Sequence, residues 1–430
     1  MPRVPPKIGL LDHIGGGNLG DDATQTAVLR QIRSRWPGSE IHGFTMNPSD
    51  TRARHGIPAY PIRRHIWDSR SSGATTAPAL KSSVKTAAAR YPALFAVLRL
   101  FHTLAIRFPG ELARELRLLA KSFHILWSFD LLIISGGGQL LDTWGGPWAF
   151  PYTLFKWTLL ARLARVKCYY LNVGAGPIHR PLSKWFLTRA LALADYVSFR
   201  DAKSEVLLRQ LGFKGPATVA ADNVYGLALP SRETAASVQQ RPVIGLSPMA
   251  YCDPRVYYKK DSSSYESFIR KLAAFGVSLS REYHLQFFST DTFFDAQAIE
   301  DLNVMIRKGA GDACSVSCEP IAATSELFSQ MLLMDYIITC RFHGVIFAHL
   351  MNIPVIAIAH HPKVATLMAD LGLSEYCLDI DTFDAGLLER TFIHMVNNRD
   401  EIKTRMREKA ECYRSALSRQ FDSLFSGAFC

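Results

Sequence analysis

The sequence predicts an α/β protein with two Rossmann-like domains that face one another across a cleft. Short apolar runs of strand length alternate with helical segments in both halves of the chain. Gly, Asp or Arg follows the end of most of these runs. A polar stretch, SRETAASVQQRP at 231–242, separates the two series as a linker. We therefore expect an N-terminal domain at 1–230 and a C-terminal domain at 231–430.

Size and composition fit this architecture without choosing a function. The chain has 430 residues, 48% of them apolar, which is enough for a sizeable core. A net charge of +11 and a pI near 9.3 suit nucleic acid, an anionic membrane or an acidic substrate. The eight cysteines are scattered, which indicates reduced thiols. With no secretory leader and no run of about 18 apolar residues, we expect a cytoplasmic protein that does not span the membrane.

The first strand, at 7–11, opens into a glycine-rich loop before a helix at 22–35. Three glycines of this region fit the spacing of a dinucleotide-binding fingerprint, namely Gly15, Gly17 and Gly20. Two aspartates at the helix start, Asp21 and Asp22, would repel a pyrophosphate, and no acid for a ribose follows the second strand at 40–44. We expect no dinucleotide. Asn18 or Asp22 contacts a sugar hydroxyl, or the segment is only a tight turn with a capped helix.

Residues 50–129 interrupt the α/β alternation as a basic helical insert. Arginines lie between apolar residues at helical spacing, which fits either packing on the domain or an amphipathic surface on anionic lipid. The segment 148–165 repeats this pattern. We expect peripheral contact with the inner face of the membrane through residues 81–124.

Polar residues and glycines follow the remaining strands of the N-terminal half. The strand at 130–134 ends in a triple glycine that includes Gly137 and Gly138, with Asp142 nearby. Arg200 follows the strand at 196–199, and Asp222 follows the strand at 217–220. Because open α/β sheets bind ligands at the carboxyl ends of their strands, these positions indicate a site along one edge of the sheet.

The stretch from 334 to 364 predicts a βαβ unit with its polar residues in the turns. Arg341 and His343 lie where the strand at 336–339 meets a helix, and Lys363 follows the next strand, at 354–358. A helix N-terminus and an arginine both favour carboxylate or phosphate. This edge is therefore expected to bind an anion.

In these motifs the chain resembles the polysaccharide pyruvyl transferase family. The similar segments lie in order along almost the whole sequence: GGGNLGDDA at 15–23, ISGGGQLLD at 134–142, NVGAGPI at 172–178, YVSFRDAKSEVLLRQLG at 196–212, the segment of Asp222, CRFHGVIFAHLMNIPVIAIAHHPKV at 340–364, and LGL at 371–373. The resemblance implies a fold like the two-domain GT-B glycosyltransferases. It also implies transfer of pyruvate from phosphoenolpyruvate (PEP) to a sugar of a cell-surface polysaccharide or its lipid-linked precursor, as a ketal.

This chemistry requires cationic anchors and groups that exchange protons. Cationic anchors are needed for the carboxylate and phosphate of PEP, and the candidates are Arg341, Arg200 and Lys363. His343 is the candidate for proton transfer, with Asp142, Asp222 or Asp22 as the second group. The other candidate substrate-binding residues are Asn18, Gly137 and Gly138. We expect no metal and no cofactor besides the donor PEP, and no nucleic-acid partner.

Structural alternatives remain for several of these residues. The positions of Arg341 and His343 favour a functional role over a structural one. Asp142 suits either role, and Lys363 fits a structural role slightly better. A GT-B glycosyltransferase that uses a nucleotide sugar is the alternative function, although no convincing ribose-binding Glu is apparent in the C-terminal half. A non-catalytic glycan-binding protein of the same fold is the third hypothesis.

Overall fold

The computed structural model describes residues 5–12, 17–64, 108–143, 145–229, 241–311 and 315–427. The chain divides into two compact units. Unit 1 comprises Met1–Gly16 and Trp36–Thr218, and unit 2 comprises Gly17–Arg35 and Val219–Cys430. Each unit is an α/β structure around one sheet.

Unit 1 is built on a seven-stranded sheet in the order β3-β2-β1-β4-β5-β6-β7, in which the recorded strand pairs are parallel. Its strands are β1 (Lys7–Leu11), β2 (Glu40–Thr45), β3 (Ala59–Pro61), β4 (Leu131–Ser135), β5 (Lys167–Val173), β6 (Tyr196–Phe199) and β7 (Thr218–Val219), the last of which reaches the unit boundary. The strand order reverses between β1 and β4. The carboxyl ends of these two strands therefore form the topological switch point of the sheet.

The helices of unit 1 connect successive strands and cover the sheet. They are α2 (Pro48–His55), α3 (Phe108–Leu126), α4 (Phe150–Leu163), α5 (Pro181–Leu193) and α6 (Ala202–Gln210). Trp157 of α4 is buried, packs against Phe44 with ring centroids 4.8 Å apart, and donates its indole N–H to the Ile62 carbonyl at 3.1 Å. Trp157 therefore anchors α4 to the hydrophobic core next to β2.

Unit 2 is built on a six-stranded parallel sheet in the order β10-β9-β8-β11-β12-β13. Its strands are β8 (Val243–Ser247), β9 (His284–Phe287), β10 (Val316–Cys318), β11 (Tyr336–Thr339), β12 (Val355–Ala359) and β13 (Cys377–Asp379). The strand order reverses between β8 and β11. The central strands β8, β11 and β12 are buried throughout, as expected for a parallel sheet with helices on both faces.

The helices of unit 2 include one from the N-terminal part of the sequence. They are α1 (Leu19–Arg35), α7 (Ser262–Leu279), α8 (Ala296–Ala310), α9 (Thr324–Met331), α10 (Phe342–Leu350), α11 (Pro362–Asp370), α12 (Ala385–Asn397) and α13 (Arg399–Gly427). The residue before α7, Asp261, accepts hydrogen bonds from the N–H groups of Ser263 and Ser264. Asp384 caps α12 in the same manner.

The predicted α/β architecture is confirmed, but two segments that the sequence placed in an N-terminal domain at 1–230 group with unit 2. One is 219–230, so the boundary falls earlier than predicted. The other is 17–35. The reason is that the start of α1 is hydrogen-bonded to the loop after β9, through Leu19 N–H to the Thr290 carbonyl at 2.8 Å. Such a long-range contact leaves no local signal in the sequence.

The predicted insert at 50–129 begins too early, since α2 and β3 continue the α/β alternation up to Pro61. A strand of three residues is too short to give a periodic pattern. Residues 65–107 of this insert lie outside the described residues, as do most of the predicted linker and the glycines Gly15 and Gly16. Within the described parts, no helix is both long and apolar enough to cross a membrane.

Candidate functional site

Arg341 lies at the switch point of the unit 2 sheet, directly before α10, and is held by two aspartates. Its Nε donates to Asp295 Oδ2 at 2.8 Å, and its Nη2 donates to the other oxygen of the same carboxylate. Nη1 lies 3.5 Å from Asp291 Oδ2. Burial alone would lower the pKa of Arg341, but the two carboxylates raise it, so this group stays charged. Its side chain remains 22% exposed.

Asp295 is the fixed member of this cluster. It is fully buried, and its carboxylate also accepts a hydrogen bond from the N–H of Ala250 at 3.1 Å and one from Ser289 Oγ at 2.7 Å. A carboxylate held by an arginine, a hydroxyl and a backbone amide has most of its acceptor capacity used. Asp295 therefore positions Arg341.

Asp291 is the member of the cluster that can change its charge near neutral pH. Burial raises its pKa to about 6, assisted by the negative charges of Asp295 and Asp21 and opposed by Arg341. Its Oδ1 accepts the N–H of Phe294 at 3.3 Å. A carboxyl with this pKa can act as an acid or a base at physiological pH.

His343, in the first turn of α10, is buried against the start of α1. A Cβ atom on Gly20 would lie 2.0 Å from His343 Nδ1, so only glycine allows the imidazole to take this position. The ring also stacks on Phe347 with centroids 6.1 Å apart and meets Phe342 edge-on at 5.5 Å. Two segments about 320 residues apart in sequence thus meet within unit 2.

The predicted residues Asn18 and Asp22 lie in this same region, and both have structural contacts. Asn18 Oδ1 accepts the N–H of Gly20 at 2.9 Å and caps α1. Asn18 also forms a bridge with Asp291, and Asp22 Oδ2 accepts the hydroxyl of Thr324. Contact of either residue with a sugar hydroxyl stays a prediction.

Lys363 lies in the first turn of α11, on the same edge of the sheet. The Lys363 ammonium group is 5.6 Å from the centroid of the Phe342 ring, and the backbone N–H of Lys363 donates to His361 Nδ1 at 3.2 Å. The neighbouring His360 has its Nδ1 3.1 Å from the Cys340 carbonyl, and burial, with the charges of Lys363 and Arg341, lowers its pKa to about 3. His360 is therefore neutral and does not serve as a cation here.

In unit 1, Arg200 lies over the glycine loops that follow β4 and β5. A Cβ atom on Gly174 would come within 2.4 Å of Arg200 Nε, and one on Gly138 would be 3.8 Å from its Nη2. Gly174 also donates its N–H to the Gly137 carbonyl at 2.8 Å. The structure thus brings the predicted residues Arg200, Gly137 and Gly138 together at the carboxyl edge of this sheet.

Asp142, also in unit 1, anchors the loop before α5. Its carboxylate accepts the N–H of His179 at 3.0 Å and that of Arg180 at 2.8 Å. Burial raises the pKa of Asp142, but these hydrogen bonds outweigh it and hold the pKa below its ordinary value. Because a carboxylate of lowered pKa is a weak base, this environment favours a structural role over the predicted catalytic one.

Asp222, in unit 2, caps a short 3₁₀ turn at Asn223–Gly226. Its Oδ1 accepts the N–H of Val224 at 3.1 Å, and the side chain is buried. The turn places Tyr225 against His349, with ring centroids 5.4 Å apart. These contacts favour a structural role for Asp222 as well.

Sequence reasoning missed Asp291 and Asp295, although a signal was present. Both belong to the segment DTFFD, which follows β9 at the carboxyl edge of the sheet. The rule that selected Arg341 applies equally to this loop. Asp12 was missed in the same way in unit 1, where it follows β1 and accepts the hydroxyl of Ser135 at 2.9 Å. Over the described ranges, no group of three or more His, Cys, Asp or Glu side chains could hold a metal ion.

Solved structures resemble this chain in fold over almost its whole length. UDP-GlcNAc 2-epimerase from Neisseria meningitidis, bound to UDP-GlcNAc, matches with a TM-score of 0.57 and 10% identity, over 98% of this chain and 100% of the other. Sucrose-phosphate synthase from Thermosynechococcus elongatus matches with a TM-score of 0.53 and 12% identity, over 99% of both chains. A lipopolysaccharide outer core galactosyltransferase matches with a TM-score of 0.50 and 12% identity, over 97% of this chain and 98% of the other. The fold is therefore the two-domain α/β fold of GT-B glycosyltransferases and related epimerases.

A search of curated proteins finds no match. The family model described as polysaccharide pyruvyl transferase, in contrast, matches residues 18–362. This range includes Asn18, Gly20, Arg200 and Arg341 and ends at the first residue of α11. The chain belongs to the polysaccharide pyruvyl transferase family.

Proposed function

We propose that this protein transfers pyruvate from PEP to a sugar of a cell-surface polysaccharide or exopolysaccharide, or of its lipid-linked precursor, and forms a pyruvate ketal. Family membership supports a transferase acting on a glycan. The observation that carries the proposal is the cluster of Arg341, Asp291 and His343 at the switch point of the unit 2 sheet. The cluster combines a cation with a carboxyl group that titrates near neutral pH.

Anion binding in this proposal uses the exposed part of the Arg341 side chain and the first turn of α10. The N-terminal N–H groups of a helix and an arginine favour phosphate or carboxylate. Lys363 supplies a second cation on the same sheet edge, through the start of α11. Arg200 remains a predicted anchor within unit 1.

The reaction requires one proton on carbon and two hydroxyl additions. An acid protonates the methylene carbon of PEP, which becomes the methyl group and leaves an oxocarbenium-like centre at C2. One sugar hydroxyl attacks C2 and loses its proton to a base. The C2–O bond to phosphate then breaks, inorganic phosphate leaves, and a second hydroxyl attacks C2 with loss of its own proton. These reaction steps require no resident cofactor or redox partner.

Asp291 is the proposed acid, and His343 accepts or relays protons. With both aspartates ionised, the pair Asp291 and Asp295 outweighs the charge of Arg341 and would repel PEP. Protonation of Asp291 balances the cluster, so an anion bound beside it raises its pKa further. PEP binding should therefore protonate Asp291, which then supplies the proton that is transferred to the methylene carbon.

Donor identity is tested by thermal shift of the purified protein with PEP, and with UDP and GDP sugars as competing ligands. A ligand that binds only the folded state raises Tm. We expect PEP to raise it, and mass spectrometry of a glycan panel incubated with PEP should detect one ketal per acceptor. A shift with nucleotide sugars alone would refute the proposal and favour a glycosyltransferase, the chemistry of the galactosyltransferase that shares the fold.

Residue roles are tested by calorimetry of PEP binding in buffers of different ionisation enthalpy. Wild type should take up a proton on binding at pH 7, to a maximum of about one per site, because the anion raises the pKa of Asp291. Asp291→Asn should bind PEP without this uptake and lose turnover by roughly a hundredfold or more. Uptake that persists in Asp291→Asn would assign the proton to another group.

Arg341→Lys and His343→Ala should affect different steps. Lysine keeps the charge of Arg341 but loses the fork that pairs with Asp295, so PEP binding should weaken by about 1.5–3 kcal/mol. His343→Ala should retain most PEP affinity while turnover falls by roughly a hundredfold or more. Turnover near wild type in His343→Ala, with Tm unchanged, would make His343 a packing residue.

A further inference from the structure

Two neighbouring helices of unit 1, α4 and α5, leave large apolar side chains in solvent. Trp148, just before α4, is 67% exposed, Leu163 at the end of α4 is 59% exposed, and Trp185 of α5 is 48% exposed. Isolated apolar residues on a surface are ordinary, whereas exposed apolar residues that belong to one contiguous layer indicate an interaction surface.

The exposed tryptophans belong to one continuous aromatic layer. Trp148 meets Tyr152 and Phe186 edge-on, with ring centroids 5.5 Å and 5.6 Å away. Phe155 connects this group to Trp185, at 5.1 Å. Because these contacts run from α4 to α5, both tryptophans lie on one surface, which we call the tryptophan face.

The chain segment that carries the tryptophan face is basic, although one acid of α3 reaches it: Glu115 accepts hydrogen bonds from Tyr152 Oη at 3.1 Å and from Lys156 Nζ at 2.9 Å. Residues 143–194 contain seven Lys or Arg and no Asp or Glu. Three of these cations, Arg162, Arg165 and Lys167, line a cavity of about 480 Å³ at the end of α4 and the start of β5. Asp195 is the acidic residue at its rim, and its Oδ2 accepts the N–H of Cys168 at 2.8 Å. The cavity therefore offers several cations to an anion.

We propose that the tryptophan face docks on an anionic phospholipid surface. Tryptophan favours the boundary between headgroups and acyl chains, while cations of the same segment meet lipid phosphates. Exposed tryptophans on a segment with seven cations match this chemistry, and an anionic bilayer supplies the complementary charge. The inference stands apart from the proposed reaction, whose cluster of Arg341, Asp291 and His343 lies in unit 2.

The test is co-sedimentation of the full chain with vesicles of phosphatidylcholine alone or with about one third phosphatidylglycerol, an anionic surface of the kind that attracts basic segments. Wild type should bind the anionic vesicles at least tenfold better than the neutral ones at low salt. Added salt should weaken this binding without abolishing it, because the apolar contribution is not screened. Tryptophan fluorescence should shift to the blue on binding.

Two double variants separate the apolar from the electrostatic contribution. Trp148→Ser with Trp185→Ser should remove the fluorescence shift and the binding that persists at high salt. Arg162→Glu with Arg165→Glu should reduce binding at low salt by tenfold or more. A matched control in unit 2, Ile393→Ser with Arg399→Glu, changes an exposed apolar residue and an exposed cation and should bind as wild type does.

Several results would overturn the proposal. They are no binding of wild type to anionic vesicles at low salt, or an equal loss of binding in the unit 2 control. A large fall in Tm in the tryptophan variant would mean that the face packs against another part of the chain. A change in molecular mass by light scattering would identify a second copy as the occupant. PEP-dependent turnover on a water-soluble acceptor should be unchanged in both face variants, so this test and that of the proposed reaction can fail separately.

Discussion

At the scale of single residues, two glycines seat the side chains of the candidate site. Gly20 gives room to the imidazole of His343, and Gly174 gives room to the guanidinium of Arg200. In each case the side chain occupies the space where a Cβ atom would be, so the glycine is required by packing and not by a turn. A glycine in a motif that resembles a nucleotide-binding fingerprint can thus provide space for a histidine side chain instead of a nucleotide.

Gly20→Ala should therefore affect stability and turnover together. The new methyl group forces the ring of His343 to move, and we expect a loss of about 1–3 kcal/mol in the free energy of unfolding. Turnover should fall because the imidazole leaves its place, and chemical denaturation with steady-state kinetics measures both. Gly110→Ala is the matched control, since a Cβ atom there meets no atom within 4 Å. In helix α3 this change should leave stability equal or raise it by up to about 1 kcal/mol.

Asp291→Asn should stabilise the protein at neutral pH and have little effect in acid. The folded-state pKa of Asp291 is raised from 3.8 to about 6 by burial and by Asp295 and Asp21, so the folded protein holds this proton more tightly than the unfolded chain does. The stability that this group contributes is present below pH 3.8 and is lost as the pH rises through about 6. The free energy of unfolding of Asp291→Asn should exceed that of the wild type by about 1–3 kcal/mol at pH 7.

Asp301→Asn is the control of opposite sign. Burial raises the pKa of Asp301, but hydrogen bonds from Arg255 and Tyr265 outweigh it and lower the pKa. Its contribution is therefore present above the ordinary pKa of a carboxyl group and is lost in acid. Thermal unfolding from pH 4.5 to 7.5 should show the two variants diverging, and parallel curves would contradict the assignment for Asp291.

At the scale of secondary-structure elements, strand ends and helix starts build the site. Arg341 precedes α10, Lys363 lies in the first turn of α11, and Asp291 and Asp295 lie between β9 and α8. Parallel strands bring these turns to one edge of the sheet. The start of α1 reaches the same edge because Asn18 caps the helix and forms a bridge with Asp291.

The capping role of Asn18 can be separated from the predicted sugar contact. Asn18→Ala removes the acceptor for the N–H of Gly20, and we expect a loss of about 1 kcal/mol. Asn18→Ser keeps a capping oxygen and should recover most of that stability. If Asn18→Ser is stable yet has a raised KM for the acceptor, the residue also binds sugar, whereas wild-type kinetics would leave it as a cap alone.

At the scale of the whole molecule, the chain enters unit 2, returns to unit 1 and enters unit 2 again. Helix α1 contributes Ala27, Val28 and Ile32 to the buried residues of unit 2, although β1 and β2 on either side of it belong to unit 1. The unit that contains the candidate anion site is therefore incomplete without a segment from the start of the sequence.

Native-state hydrogen exchange should place α1 in the same cooperative unit as the unit 2 strands. Ile32→Ala removes a fully buried side chain, and a loss of about 2–5 kcal/mol should accelerate exchange in β8, β11 and β12 more than in β4. Leu132→Ala, a buried change in β4 of unit 1, should give the opposite distribution. Equal acceleration of both sheets by Ile32→Ala would contradict this assignment.

Local patterns in the sequence were sufficient for much of the fold. The strands at Lys7–Leu11, Tyr196–Phe199 and Tyr336–Thr339 have the predicted bounds, since buried parallel strands are continuous apolar runs with clear ends. The short strands β3, β10 and β13 were not predicted, because three residues give no periodicity. The positions of Arg341, His343 and Lys363 at one sheet edge followed from strand order alone.

What the sequence by itself determined is therefore the α/β class, most of the central strands and the family resemblance, all of which depend on periodicity or on ordered motifs. Only the tertiary structure decided which groups share an environment. It paired Arg341 with Asp295, seated His343 on Gly20, gave Asp291 a raised pKa and turned Asp142 and Asp222 into caps of neighbouring backbone. The physical reason is that burial, ion pairing and close packing are set by atoms that lie tens to hundreds of residues apart in the chain, and local patterns carry no record of them.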